Sequence, residues 1–185
     1  MNPVVKHVEA WLSDIVIGLN LCPFAKREFI KKSIRFQCSA ARSEQELLQD
    51  LVVELALLNK SPEIETTLLI HPDVLQGFDE YNQFLDFADN VIESMNMQGE
   101  FQIASFHPDY CFAGTSVDDA ENYTNRSPYP LLHILRESSL EKAIQAHANT
   151  EQIPEDNIRL MNDMGAPEMA KRLQNCFNIN EKMSD

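Results

Sequence analysis

The sequence predicts an α/β fold: a small, mainly parallel three-stranded sheet packed by helices, with a C-terminal helical extension. Helically spaced apolar residues alternate along the chain with three short strand-like runs, 33–39, 66–71 and 101–107. Strands joined through helices normally lie parallel. Length agrees, since 185 residues is one domain's worth, about 100–200 residues. A hydrophobic share of 44% suffices for a core, so 1–185 is read as a single domain.

The elements follow in order. Val4, Val5, Val8, Trp11, Leu12, Ile15, Val16 and Leu19 make one apolar stripe and predict a helix over 4–19. Gly18 and Pro23 end it. Ile34, Phe36 and Cys38 alternate with polar residues as a half-buried strand does. Ser43 with Glu46 is a capping box that opens a helix to about Leu58. A second strand runs from Thr66 to His71. Phe78, Tyr81, Phe84, Leu85, Ala88, Val91, Ile92 and Met95 define a third helix, and Phe101–His107 a third strand. Three parallel strands leave the orders 2-1-3 and 3-2-1 both open.

Residues 108–126 are polar and irregular, long enough for a functional loop. Ser127 followed by Pro128 reads as a helix start, with Leu131, Leu132, Ile134 and Leu135 as its body. This opens the helical extension, about 127–177, with further helix starts at Ser138, Pro154 and Pro167. The tail 178–185 is expected to fray.

Acidic side chains outnumber basic ones 29 to 15, for a net charge of −14. That argues against nucleic acid or an anionic membrane as partner. Cys22, Cys38, Cys111 and Cys176 show no Cys-x-x-Cys spacing. No secretory apolar core follows Met1, and no apolar run reaches the roughly 18 residues of a membrane span. The expectation is a cytoplasmic protein with reduced thiols. Lys26, Arg27, Lys31, Lys32 and Arg35 form a local basic run with Glu28 as its one acid. A solvated face offsetting nearby acids is the favoured reading, ahead of an anion-drawing patch.

One internal echo points to chemistry. The second strand runs into His71-Pro72-Asp73 and the third into His107-Pro108-Asp109. In a parallel sheet both imidazoles leave the same carboxyl edge, where open α/β sheets bind ligands. The bland alternative is a strand-ending turn, with Asp bonding nearby amides. The chaperone J-domain His-Pro-Asp lies between helices beside basic residues, so that comparison is set aside. The following loop holds Tyr110, Cys111, Asn122, Asn125 and Arg126, just before Ser127. Arg126 and the amides at Ser127 would grip an anion, and Asn122 and Asn125 would orient it. The alternative is a self-capping loop with Arg126 paired to Asp118, Asp119 or Glu121. Cys22 is a nucleophile only if Lys26 or His107 lowers its pKa.

The strings GLNLCPFA at 18–25, FHPDYCFAGT at 106–115 and NYTNRSPYPLLHILRE at 122–137 resemble a bacterial family catalogued as domain of unknown function 1415. The resemblance covers most of the chain. It implies a cytosolic bacterial protein and brings with it no activity, cofactor or partner. The family's pattern commonly carries Gln where this chain has Cys111, which makes Cys111 a poor nucleophile.

Three functions are weighed. The leading one is an enzyme acting on a small anionic metabolite, with His107 as general acid or base, Asp109 or Asp73 orienting it, and Cys22 nearby. Its binding residues would be His71, Tyr110, Asn122, Asn125, Arg126 and Ser127. The second is a metal site built from His71, Asp73, His107 and Asp109. The third is a non-catalytic acidic binding or regulatory module. Substrate, reaction class, cofactor and oligomeric state stay open.

Overall fold

The structure is a computed structural model that describes residues 2–146 and 149–178. Its helices are α1 (Pro3–Trp11), α2 (Ala25–Lys31), α3 (Glu44–Lys60), α4 (Phe78–Ser94), α5 (Glu137–Ala146), α6 (Ile153–Met164) and α7 (Ala166–Asn175). Its strands are β1 (Ile34–Cys38), β2 (Thr66–Ile70), β3 (Phe101–Phe106) and β4 (Leu131–Arg136). Among the described residues, no helix is long and apolar enough to cross a membrane.

The strands form one mixed sheet in the order β1-β2-β4-β3. β1 pairs parallel to β2, and β4 pairs antiparallel to both β2 and β3. The three expected strands therefore share one direction, as the alternation of elements predicts. The sheet itself is four-stranded and mixed, because β4 is wedged between β2 and β3.

That wedge corrects the sequence reading at 127–136. Ser127 and Pro128 do not open a helix, and Leu131–Arg136 is a strand. β4 is a central strand with Leu131, Leu132 and Ile134 fully buried. Such strands read as continuous apolar runs, which periodicity alone cannot tell from a buried helix. Pro130 supplies the missing signal, since it disfavours helix at Tyr129. The helical extension begins only at α5. The fraying expected of 178–185 falls almost wholly outside the described residues.

Both faces of the sheet are covered. Leu47, Leu51, Leu55 and Leu58 of α3 and Tyr81, Phe84, Ala88 and Ile92 of α4 pack against Leu69, Leu132 and Ile134. On the other face Val8, Trp11 and Ile15 meet Leu68, Ile70 and Leu131, joined by Met161 of α6 and Met169 of α7. Each fully buried Leu or Ile contributes about 1.5–3 kcal/mol. Under α3 the buried Glu54 carboxylate takes two bonds from Arg35 of β1, at 2.7 and 2.9 Å. The Ser43 hydroxyl caps α3 by accepting from the Glu46 amide at 3.3 Å.

The first helix does not run evenly to 19. α1 passes into a wider π-helical turn, Leu12–Ile17. α2 was not expected, and its basic side chains Lys26, Arg27 and Lys31 stand exposed. Glu28 bonds Arg27 at 3.2 Å and Lys31 at 3.4 Å, in keeping with a solvated face.

Candidate functional site at the carboxyl edge of the sheet

β2 and β3 end level with each other because Ile70 and Phe106 both pair with Leu131 of β4. The next residues, His71 and His107, therefore leave one rim, two strand positions apart. Their main chains are tied down there. The His71 amide donates to the Pro130 carbonyl at 3.0 Å, and the His107 amide to Asn125 at 3.2 Å.

Tyr81 of α4 sits between the two imidazoles. Its hydroxyl donates to the Leu131 carbonyl at 2.8 Å and accepts from the Phe106 amide at 3.0 Å. Its ring centroid lies 5.8 Å from His71 and 5.1 Å from His107. Phe78 extends the array, 5.6 Å from His107 and 5.0 Å from Tyr110.

Both imidazoles are fully buried. His71 bonds the Val74 carbonyl through Nδ1 at 3.0 Å. His107 bonds the Leu75 carbonyl through Nε2 at 3.1 Å, and its Nδ1 accepts the Asp109 amide at 3.0 Å. Carbonyl oxygens only accept and amides only donate. The bonds therefore assign opposite neutral tautomers, Nδ1–H for His71 and Nε2–H for His107. Burial pushes His71 down to about 4 and lowers His107 as well. His71 Nε2 is buried and, among the described residues, has no hydrogen-bond partner.

These bonds revise the roles expected of His-Pro-Asp. A general base needs a lone pair that a substrate proton can reach. His107 spends its lone pair on the Asp109 amide, and its ring is fully buried. The order of dependence is reversed: His107 positions Asp109 instead of being oriented by it. The two rings also pin successive carbonyls of one turn, whose Leu75 has φ +56°. A left-handed L-residue costs roughly 1–2 kcal/mol, and about 1 kcal/mol per bond offsets it.

The turn leads into Gly77, the cap of α4. A pocket of about 420 Å³ opens there, lined by Gly77, by Phe78, Asp79 and Glu80 of α4, and by Asp109, Cys111 and Val117 from the loop after β3. Asp79, Glu80 and Asp109 give it three carboxylates, and among the described residues no basic side chain lines it. The helix N-terminus, which favours anions, already has Asp79 and Glu80 in its first turn.

The loop residues expected to bind substrate hold the loop together instead. The fully buried Asn122 accepts from the Phe112 amide at 3.0 Å and the Thr115 hydroxyl at 2.9 Å, and donates to the Ser116 carbonyl at 2.7 Å. Asn125 donates to the Ser105 carbonyl at 3.1 Å. The Ser127 hydroxyl donates to the Tyr129 carbonyl at 2.7 Å and its amide to the His107 carbonyl, so no helix terminus offers amides there. Arg126 donates to the Tyr110 and Val117 carbonyls at 3.2 and 2.7 Å and lies 4.6 Å over the Tyr123 ring. The self-capping alternative describes this loop, with backbone carbonyls in place of the expected acids. Tyr110 meets the Ser105 hydroxyl at 3.4 Å.

Cys22 is half-buried, and its neighbours Asn20 and Pro23 line a different pocket. Among the described residues, no group of three or more His, Cys, Asp or Glu could hold a metal ion. His71, Asp73, His107 and Asp109 therefore do not assemble as the expected ligand set. The sequence reading missed Tyr81, Leu75, Asp79 and Glu80. Tyr81 was hidden by its core position in a helical stripe. The acids after Gly77 were legible as a helix start, and nothing in the sequence placed them opposite Asp109.

A family model described as "Protein of unknown function (DUF1415)" matches residues 3–171. No curated protein and no solved structure matches the chain.

Proposed function

This chain belongs to the DUF1415 family, and we propose that it binds and processes a small molecule in the carboxyl-edge pocket. Asp109 is the proton-transfer group of this reading, and His107 is its positioning residue. The carrying observation is the Asp109 amide held by His107 Nδ1 at 3.0 Å, with Asp109 on the pocket lining. A site needs such support behind it, because loosely held groups lose most of their effect.

Charge selects the ligand class. Three carboxylates and, among the described residues, no lining cation disfavour the small anionic metabolite expected from the sequence. They suit an amine or a hydroxyl-rich molecule that donates hydrogen bonds. Arg126 is not on this lining, and its Nε and one terminal nitrogen hold the Tyr110 and Val117 carbonyls. Cysteines not joined in disulfides support the reading of a protein that works in a reducing compartment such as the cytoplasm.

A thermal-shift survey of small amines, polyols and acids tests this. A ligand at a hundredfold excess over Kd stabilises by about 2.7 kcal/mol. A small amine should stabilise the wild type and fail with Asp109→Asn. Stabilisation by acids alone, or an equal effect of amines on Asp109→Asn, would overturn the assignment.

A further inference from the structure

The Gly18–Ala25 segment, singled out in the sequence, has no part in the carboxyl-edge pocket. It borders another pocket, about 260 Å³, between the end of the π-helical turn and the start of α6. The backbone here is specially held. The amides of Gly18 and Leu21 donate to the carbonyls five residues earlier, at 2.9 and 2.8 Å. A side chain at Gly18 would collide with the Asp14 carbonyl. Such π-helical turns recur at functional sites. Asn20 and Asn149, both on the lining, are left-handed, with φ +56° and +65°.

The walls are polar. Asn20, Asn149, Gln152 and Asn157 bring four carboxamides to one pocket, and Asp156 adds a carboxylate whose charge Arg159 offsets at 3.2 Å. Asn157 is only 9% exposed, and its Nδ2 donates to the Leu21 carbonyl at 2.9 Å. That leaves its Oδ1, with no bond from the described residues, as its acceptor toward the pocket. Gln152 Nε2 gives one N–H to the Glu155 carboxylate at 2.6 Å; the remaining carboxamide donors and acceptors match hydroxyl groups, which also do both. Among the described residues no basic side chain lines the walls and Asp156 does, so a phosphate or carboxylate finds no countercharge there. Among the described residues no aromatic ring lines them either, so a flat base has no platform on which to stack. Pro23 and Ile153 add apolar contact. The volume is below the roughly 300 Å³ at which drug-sized sites begin, which limits the occupant to about one ring.

We propose that this pocket is a second ligand site, separate from the carboxyl-edge pocket, which takes one neutral sugar ring or a polyol of that size.

The test is a nuclear magnetic resonance titration of the full chain with neutral pentoses, hexoses and their acyclic polyols at millimolar concentration, read on the side-chain amide signals of Asn20 and Gln152. Saturable shifts with at least one neutral compound are expected. Asn20→Gly keeps a left-handed backbone without strain, and Gln152→Ala changes an exposed side chain. Followed on the remaining carboxamide signals, each should weaken binding about tenfold or more with an unchanged melting temperature, while Asp109→Asn should bind as the wild type does. Three outcomes would overturn the site: no saturable shift with any neutral compound, full binding by both pocket variants, or preference for a sugar phosphate over its parent sugar.

Discussion

Replacing His107 by Ala separates a structural imidazole from a catalytic one. The substitution deletes a fully buried ring, strands the buried Leu75 carbonyl and frees the Asp109 amide of an exposed residue. The stranded carbonyl costs about 1–3 kcal/mol, and the lost ring contacts to Tyr81 and Phe78 add a cavity penalty of similar size. The sum is about 4 kcal/mol, a large part of the 5–15 kcal/mol that holds a typical domain together. Urea unfolding followed by circular dichroism at neutral pH reads it directly. His107→Gln, which keeps one donor and one acceptor, should fall between wild type and Ala. A loss under about 1 kcal/mol for Ala, with an unchanged urea slope, would mean that the imidazole is free to act elsewhere and that the pinning is not real.

Other expectations follow from the same contacts. His71 is neutral in the fold because burial takes it from the usual 6.5 to about 4. The unfolded chain then binds the extra proton, so His71 contributes stability fully above about pH 6.5, lost as pH falls toward about 4. At about 1.36 kcal/mol per pH unit this contribution reaches about 3 kcal/mol, and His71→Phe should flatten unfolding free energy against pH over that window. Unchanged pH dependence would contradict the assignment. Arg126→Lys loses the paired reach to the Tyr110 and Val117 carbonyls, so amide hydrogen exchange over 110–119 should quicken while exchange in β2 stays slow. Glu54→Gln leaves Arg35 without its buried charge partner and should cost about 3 kcal/mol by denaturant titration.

Much of this architecture was written in local patterns. β1, β2 and β3 were legible because alternation or short apolar runs sat between helical stripes, and α3 because Ser43 and Glu46 mark its start. The common rim of His71 and His107 followed from parallel direction alone. β4 was not legible, since a strand buried on both faces loses the alternation that identifies strands. Its placement between β2 and β3 is a long-range choice that no local signal carries. The chemistry was hardest to read for a related reason. Residue types identified His107, Arg126 and Asn122 as capable groups, yet their lone pairs and protons are spent on backbone atoms of the same loops. Sequence spacing reports which groups are near a rim, while hydrogen-bond partners decide which of them remain available.

The protonation pattern of the two rim imidazoles is the most direct check. Long-range ¹H–¹⁵N correlation spectra distinguish Nδ1–H from Nε2–H in each ring. His71 should carry its proton on Nδ1 and His107 on Nε2, both neutral at pH 7 and with His71 unprotonated until pH nears about 4. A His107 that titrates near its ordinary 6.5, or exchanges between tautomers, would show a free ring and contradict the bonded rim on which Asp109 and its pocket depend.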